Sequence, residues 1–431
     1  MLETWGLLGG ERLTGARRTR TLELGAAVRE FNERAVPGLG GVWFGKQLLL
    51  ATLGVVVAEQ ARNAGTHVRN IEVANAIEAL ACWLAFKSNR WAQDGRLRGR
   101  NKLQSKGADF SFARAKQRNF YVTQPMRMSS VQALPSLGFA ESNGVRFNGY
   151  SSTEMGRAFV DMACDPFRPY NRTVVDHLTK WVVSNRESVK VDTWQLERAL
   201  SPLTELPRES IPVLMEGLRR DDALASRRRA NALDWVERIR LKDCKQIGWS
   251  TRPVGIDKNH WLDLEAGARF FAVRNAGIKV LDAMEADLAN RTGKRALDLE
   301  NDALPGVILS RLDTLRELAV DYLAMGHEQQ EAAVFCEQCR KKDRDVLRSL
   351  ASRDGSVLRL IGSTVVPGSA FSQGAGATEV PQDNPDAPST STLPLPSGLS
   401  HRMGKLYLLN LDLNEQLGSW LAAAPQSVTR E

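Results

Sequence analysis

Ile71 to Lys87 reads IEVANAIEALACWLAFK, and its apolar residues fall on nearly every face of a helix instead of on one stripe. A helix that is hydrophobic all round is buried, so this run predicts a core of helices packed around a central one. Upstream, residues 45–64 read as a second helix. Its apolar centre, Gln47 to Glu59 (QLLLATLGVVVAE), is shorter than the ~20 residues needed to cross a bilayer and reads as buried. Further upstream, TLELGAAVREFNERA at 21–35 places Leu22, Leu24, Ala27, Val28 and Phe31 at helical spacing. Pro37 and the Gly-Leu-Gly-Gly run at 38–41 end that helix.

Downstream of Lys87 the charge changes abruptly. Between Lys87 and Arg118 there are ten basic residues against two acids, Asp94 and Asp109, an excess of +8 that equals the net charge of the whole chain. The rest of the sequence sums to neutrality. Lys and Arg concentrated on an otherwise neutral body suit a polyanion, because they release condensed counterions on meeting phosphates. Gly95, Gly99 and Gly107 loosen the backbone of this segment. A solvated loop is the alternative reading of such a charge run.

Residues 124–138 read as a helix or broken helix ending at Gly138. Phe139–Glu141 and Val145–Tyr150, joined by Ser142-Asn143-Gly144, read as a β-hairpin. Ser152-Thr153-Glu154 then opens a helix over 155–163. The stretch LPSLGFAESNGVRFNGYSSTEMGRAFVDMA at 134–163 resembles the second half of a winged-helix domain, in which a recognition helix ends in Leu-Gly-aromatic, a short β-wing follows, and a Thr-Glu-x-Gly turn opens the next helix. The resemblance implies a recognition helix over 126–137 that offers Arg127, Ser129, Ser130 and Gln132 to a groove or to phosphate. It puts Arg146 and Asn148 on the wing. Pro135 removes a backbone donor and bends or ends that helix early.

From 171 to about 353 the periodicity predicts helices at 171–186, 192–200, 209–219, 222–242, 263–290, 305–325 and 328–352. In the sixth, Leu312, Leu315, Ala319, Tyr322 and Leu323 form one stripe. Residues 364–400, rich in Pro, Ser, Gly and Thr, read as a disordered linker. Arg402 to Leu421 regains hydrophobicity and is expected to dock on the body or on a partner. The fold expected is mainly α, a multi-helical body with a small β-hairpin serving as the wing of a winged helix. Five regions follow: a helical region at 1–90, the basic loop and winged-helix-like segment at 91–165, a helical domain at 166–363, the linker at 364–400 and a docking segment at 401–431.

Motifs for chemistry are scarce. No Gly-rich phosphate loop, nucleophile elbow or HExxH is present. Cys336-x-x-Cys339 lacks the second Cys or His pair that a zinc site needs and reads as two thiols one turn apart on a helix. Arg62–His67 and Arg172–His177 show an Arg-x4-His spacing that resembles HEPN-type ribonucleases, a spacing that abundant arginine also produces by chance. Asp243-x-Lys245, with Asp234 or Asp222, resembles a restriction-type metal-dependent nuclease core but falls in a predicted helix instead of on strands. The Arg227-Arg228-Arg229 triplet reads as a solvated face or a secondary phosphate contact.

Five scattered cysteines suit a reducing compartment. The first residues, MLETWGLLGGERL, carry an early acid and no sustained apolar run, unlike a secretory signal. A cytoplasmic location without membrane contact is expected. The function expected is a non-catalytic nucleic-acid-binding or scaffolding subunit beside other protein chains, with DNA ahead of RNA and no metal or cofactor. In overall character it resembles accessory components of bacterial restriction and phage-defence operons. A nuclease and a transcription regulator are the alternatives. The residues assigned to nucleic acid are Arg96, Arg98, Arg100, Lys102, Lys106, Arg114, Lys116, Arg118, Arg127 and Arg146.

Overall fold

A computed structural model of the chain describes residues 20–105, 110–144, 146–184, 189–220, 222–242, 247–293, 295–371, 388–390 and 392–423. In chain order its first helices are α1 (Gly25–Ala35), α2 (Gly45–Asn63), α3 (Asn70–Ser88), α4 (Arg100–Gln104), α5 (Phe112–Ala115), α6 (Arg127–Ser130) and α7 (Ala133–Ser136). Strands β1 (Ala140–Ser142) and β2 (Tyr150–Ser152) precede α8 (Glu154–Cys164), α9 (Val174–Val183), α10 (Trp194–Leu200), α11 (Ile211–Leu218), α12 (Leu224–Leu241) and α13 (Lys258–Asn290). The chain continues with β3 (Leu297–Asp298), α14 (Gly306–Leu323), α15 (Gln330–Cys339), α16 (Asp343–Asp354), β4 (Leu358–Ile361), β5 (Thr364–Pro367), α17 (His401–Leu413) and α18 (Leu417–Ala423). The fold is mainly α with two small antiparallel sheets. No helix among the described residues is long and apolar enough to cross a membrane.

The chain divides into two compact units, each discontinuous in sequence: Met1–Phe31 with Leu262–Gln382, and Asn32–Trp261 with Asp383–Glu431. In the first unit the expected stripe of α14 (Leu312, Leu315, Ala319 and Tyr322) is buried against α13 residues Phe270, Val273 and Leu281. The helix expected over 328–352 is two helices, because Lys342 is extended between α15 and α16. The break turns Phe335, Cys336 and Cys339 of one helix and Val346, Leu347 and Leu350 of the next into the same core. The first residues of the expected linker, 364–367, are strand β5, which pairs with β4 across the turn at Gly362 and with β3 on its other edge. Thr364, Val365 and Val366 are β-branched, and averaging them with the Pro- and Ser-rich stretch behind them hid the strand. Residues 372–387 and 391 of that linker lie outside the described residues. Leu393, Leu395 and Ser400 are buried in the second unit.

The second unit is built on α2 and α3, both almost wholly buried, as their sequences predict. Helix α17, nearly every residue buried, packs against α12 and α2. Several of the surrounding helices are short, and charged side chains from distant parts of the chain close their ends. Asp412 on α17 accepts the Gly45 N–H at the start of α2 (2.8 Å). Lys46, fully buried, donates to Ala199 O at the end of α10 (2.6 Å). Burial pushes the Lys46 ammonium down to about 8 and the Asp412 carboxyl up to about 6. Glu59 accepts the Ser152 N–H (2.7 Å).

Arg229 is the most heavily used of these groups. The sequence places it on a solvated triplet, yet it is 1% exposed. Its guanidinium donates to Leu218 O (3.2 Å) and Gly217 O (3.3 Å) at the end of α11, to Ser136 O (3.1 Å) at the end of α7, and to Pro37 O (3.1 Å). Orphan carbonyls at helix ends need partners when buried, and one planar fork supplies four. Arg229→Met keeps most of the volume and strands those carbonyls. It is expected to lower unfolding free energy by about 2–4 kcal/mol, whereas exposed Arg227→Met shifts it by less than about 0.5 kcal/mol. Chemical denaturation of the two variants measures the difference.

Candidate nucleic-acid interface

The basic segment is a strap laid over α3, and its geometry follows from its aromatics. It leaves α3 through two left-handed residues, Arg90 (φ 51) and Trp91 (φ 60), which fold the Trp91 ring flat onto Phe86 at 5.3 Å. Leu97, Leu103, Phe110, Phe112, Ala115, Phe120 and Tyr121 then point inward. Phe110 sits between Trp83 (4.8 Å) and Phe120 (5.1 Å), and Phe112 meets the edge of Trp181 (5.4 Å). The Trp181 indole N–H donates to Phe110 O (2.9 Å). Gly99 takes φ 78 where a Cβ would lie 2.8 Å from the Tyr121 ring, so that turn requires glycine.

Glu78, a fully buried carboxylate on α3, fastens the far end of the strap. It accepts the Met126 N–H (2.7 Å), the Arg127 N–H (3.0 Å) and the Tyr121 hydroxyl (3.0 Å). Burial pushes its carboxyl up, the three donors and the nearby Arg98 guanidinium pull it down, and the net shift is upward. The Cys82 thiol stands 3.3 Å from the same hydroxyl and is pushed up to about 12 by burial, which makes it inert.

With its aromatics inward, the strap turns most of its cations outward. Arg90, Arg100, Lys102, Arg114, Lys116 and Arg118 are exposed. Lys102 donates to Tyr121 O (2.9 Å), and the Lys116 ammonium lies 5.7 Å from the Phe112 ring centre. No carboxylate among the described residues pairs with Arg90, Arg100 or Arg118. Two of the assigned residues are spent internally. Arg98 is buried and donates to Gln124 O (2.6 Å), and Arg96 grips Asp94 with two hydrogen bonds (3.0 and 2.8 Å). Lys106 lies outside the described residues.

The recognition helix implied by the winged-helix resemblance does not form. Residues 126–137 are the two single turns α6 and α7, and Arg127, Ser129 and Ser130 are buried against α2 and α3. Arg127, expected to face outward, donates to the Asn75 side chain (2.9 Å) and lies over the Phe147 ring at 5.0 Å. The second strand, expected at 145–150, runs over 150–152; residue 145 lies outside the described residues, and 147–149 form a single 3-10 turn ahead of the strand instead of being part of it. Asn70 explains the shift: its amide donates to Phe147 O (3.0 Å) and Tyr150 O (2.8 Å), while Asn148 Oδ1 accepts the Ile71 N–H (3.0 Å). The hairpin therefore caps the start of α3. Arg146 remains exposed, whereas Arg127 is buried. The Thr-Glu-x-Gly turn does open α8, with Thr153 Oγ1 accepting the Gly156 N–H (2.9 Å).

The enzymatic alternatives gain no assembled site among the described residues. His177 is 1% exposed, its Nε2 hydrogen-bonds Lys190 O (2.9 Å), and burial lowers its pKa. Arg62 is committed to Asn70 Oδ1 (2.8 Å) and Val68 O (3.3 Å). Asp243 and Lys245 lie outside the described residues, and Asp234 pairs with Arg219 (3.1 Å). Cys336 and Cys339 are buried, with thiols pushed upward by desolvation. No group of acids, His and Cys among the described residues could hold a metal ion.

Sequence reading missed Glu78 altogether, because a lone acid on an apolar helix carries no local sign of the amides it will meet. No protein family, curated protein or solved structure matches the chain. Glu78→Gln places an amide N–H₂ against hydrogen-bond donors and is expected to cost about 1–3 kcal/mol. Hydrogen exchange over 120–130 should quicken by about tenfold or more, and partly exposed Glu72→Gln is the control. Unchanged exchange would mean that Glu78 does not hold the strap.

Proposed function

We propose that the second unit binds the phosphate backbone of nucleic acid through the outer face of the strap, as a non-catalytic binding or scaffolding subunit working beside a catalytic chain. One observation carries this reading. Buried aromatics fix the strap's inner face, while Arg90, Arg100 and Arg118 stand exposed with no carboxylate partner among the described residues, alongside Lys102, Arg114 and Lys116. A merely solvated loop does not need such anchorage. With the recognition helix absent, base-edge readout has no support, so recognition is of charge and backbone instead of sequence.

Affinity for an oligonucleotide should fall steeply with salt, with a log–log slope of about −4 if four or five phosphates are neutralised. Arg100→Glu, Arg114→Glu and Arg118→Glu together should weaken binding at least about tenfold while leaving stability within about 0.5 kcal/mol. Replacing Arg227 and Arg228 with Glu should change it less than about twofold. Fluorescence anisotropy at two salt concentrations reads all three effects. Salt-independent binding, or a triple variant that binds like the parent, would refute the proposal.

A further inference from the structure

Two aromatic rings stand out of the second unit close to the root of the strap. Trp194, the first residue of α10, is 63% exposed, and Tyr170 is 52% exposed. Neither looks like a core residue displaced from its place. The buried stripe of α10 is Leu196, Ala199 and Leu200, and at 3.6 residues per turn Trp194 lies roughly opposite Leu196. Tyr170 is held in the left-handed region (φ 50), as is Asn171 after it (φ 60), a conformation that disfavours a bulky side chain.

Both rings are tied to the same stretch of chain. The Tyr170 ring stacks on the buried His177 ring at 5.6 Å and 15°, and His177 Nε2 hydrogen-bonds Lys190 O (2.9 Å). Two residues on, Asp192 receives the ammonium of Lys87 in the last turn of α3, where the strap begins (2.5 Å), and that ammonium also lies over the Trp83 ring at 4.6 Å. Thr193 caps α10, and Trp194 follows. Residues 189–194 therefore run between one exposed ring and the other, with the strap's origin bonded to their middle.

Exposed cations lie on the elements that carry both rings. Lys190 and Arg172 are exposed here, and Arg172 and Lys180 both act on His177 to lower its pKa. Among the described residues the exposed acids near them include Asp161, Asp165, Asp176 and Asp192; Lys87 takes Asp192 and Arg168 takes Asp165.

Exposed aromatic faces beside a cationic track suit unpaired bases, whose π-faces stack on rings while the backbone follows the charge; a duplex hides its bases and gains only the charge. We propose that the nucleic acid bound by this protein is single-stranded, with bases stacking on Trp194 and Tyr170 as its backbone passes onto the strap. This inference rests on the strap reading above and goes beyond it by naming the strand state and the residues that select it.

The test measures anisotropy of a labelled twenty-nucleotide oligo(dT) and of a duplex of the same length. The proteins are the parent, Trp194→Ala, Tyr170→Ala, Trp194→Phe and the strap triple-Glu variant, with melting temperature as the folding check. The parent should prefer the single strand. Each alanine variant should lose about tenfold or more on oligo(dT) and change less than about twofold on duplex, while Trp194→Phe keeps most of the single-strand affinity. If the alanine variants bind oligo(dT) like the parent while the triple-Glu variant does not, the stacking assignment is overturned and the strap reading survives. The two rings would then be contacts for a protein partner. If the triple-Glu variant also binds like the parent, the strap reading falls first.

Discussion

A helix end buried away from water must find partners for its free N–H and C=O groups, and the second unit meets this demand with charged side chains that arrive from far along the chain. Glu78 closes the start of α6, Asp412 the start of α2, Lys46 the end of α10, and Arg229 the ends of α7 and α11 together. Helices as short as α6 and α7 have no stability of their own in water. They persist because a buried charge fixes one end and packing fixes one face. Each such charge also carries a desolvation cost, visible in the lowered Lys46 and the raised Glu78 and Asp412.

The strap inherits its rigidity from this arrangement. Its aromatics are inserted between α3 and α9, and Glu78 ties down the chain just beyond it, which settles which basic residues are structural and which are free. Arg96 and Arg98 lie inward of that division, bound to Asp94 and Gln124 O. Arg90, Arg100 and Arg118 lie outside it. The charge excess visible in the sequence is thus partly an internal brace, and only its outer part remains for the polyanion contact proposed above. The same unit leaves Trp194 exposed two residues beyond Asp192, the partner of Lys87, and Tyr170 exposed over the His177 ring.

The long helices were legible from their apolar residues, α2 and α3 as runs apolar nearly all round and α14 as a stripe of 3.6-residue period, and these and α12 fall where the sequence places them. The basic segment was legible as a charge imbalance, since composition needs no contacts. What the sequence concealed is tertiary in origin. Asn-Gly at 143–144 is a sound hairpin signal, yet Asn70, over seventy residues upstream, bonds the loop and moves the strand. Arg127 read as a phosphate contact, and Arg229 as a solvated face or secondary phosphate contact, because nothing adjacent to them announces Asn75, Phe147 or four orphan carbonyls. Strand β5 was lost to the composition of its neighbours. The rings of Trp194 and Tyr170 carry no local sign of exposure, since an isolated aromatic in a helical sequence is ordinarily core.

Photocrosslinking tests the central claim, that one face of the second unit carries nucleic acid, most directly. Irradiation of the protein with oligo(dT), digestion and mass spectrometry locate the contact without any substitution. The account places the crosslinks in peptides spanning 87–121 and 168–194. Crosslinks concentrated instead in 126–150 or around Arg227, with the strap left clean, would contradict it.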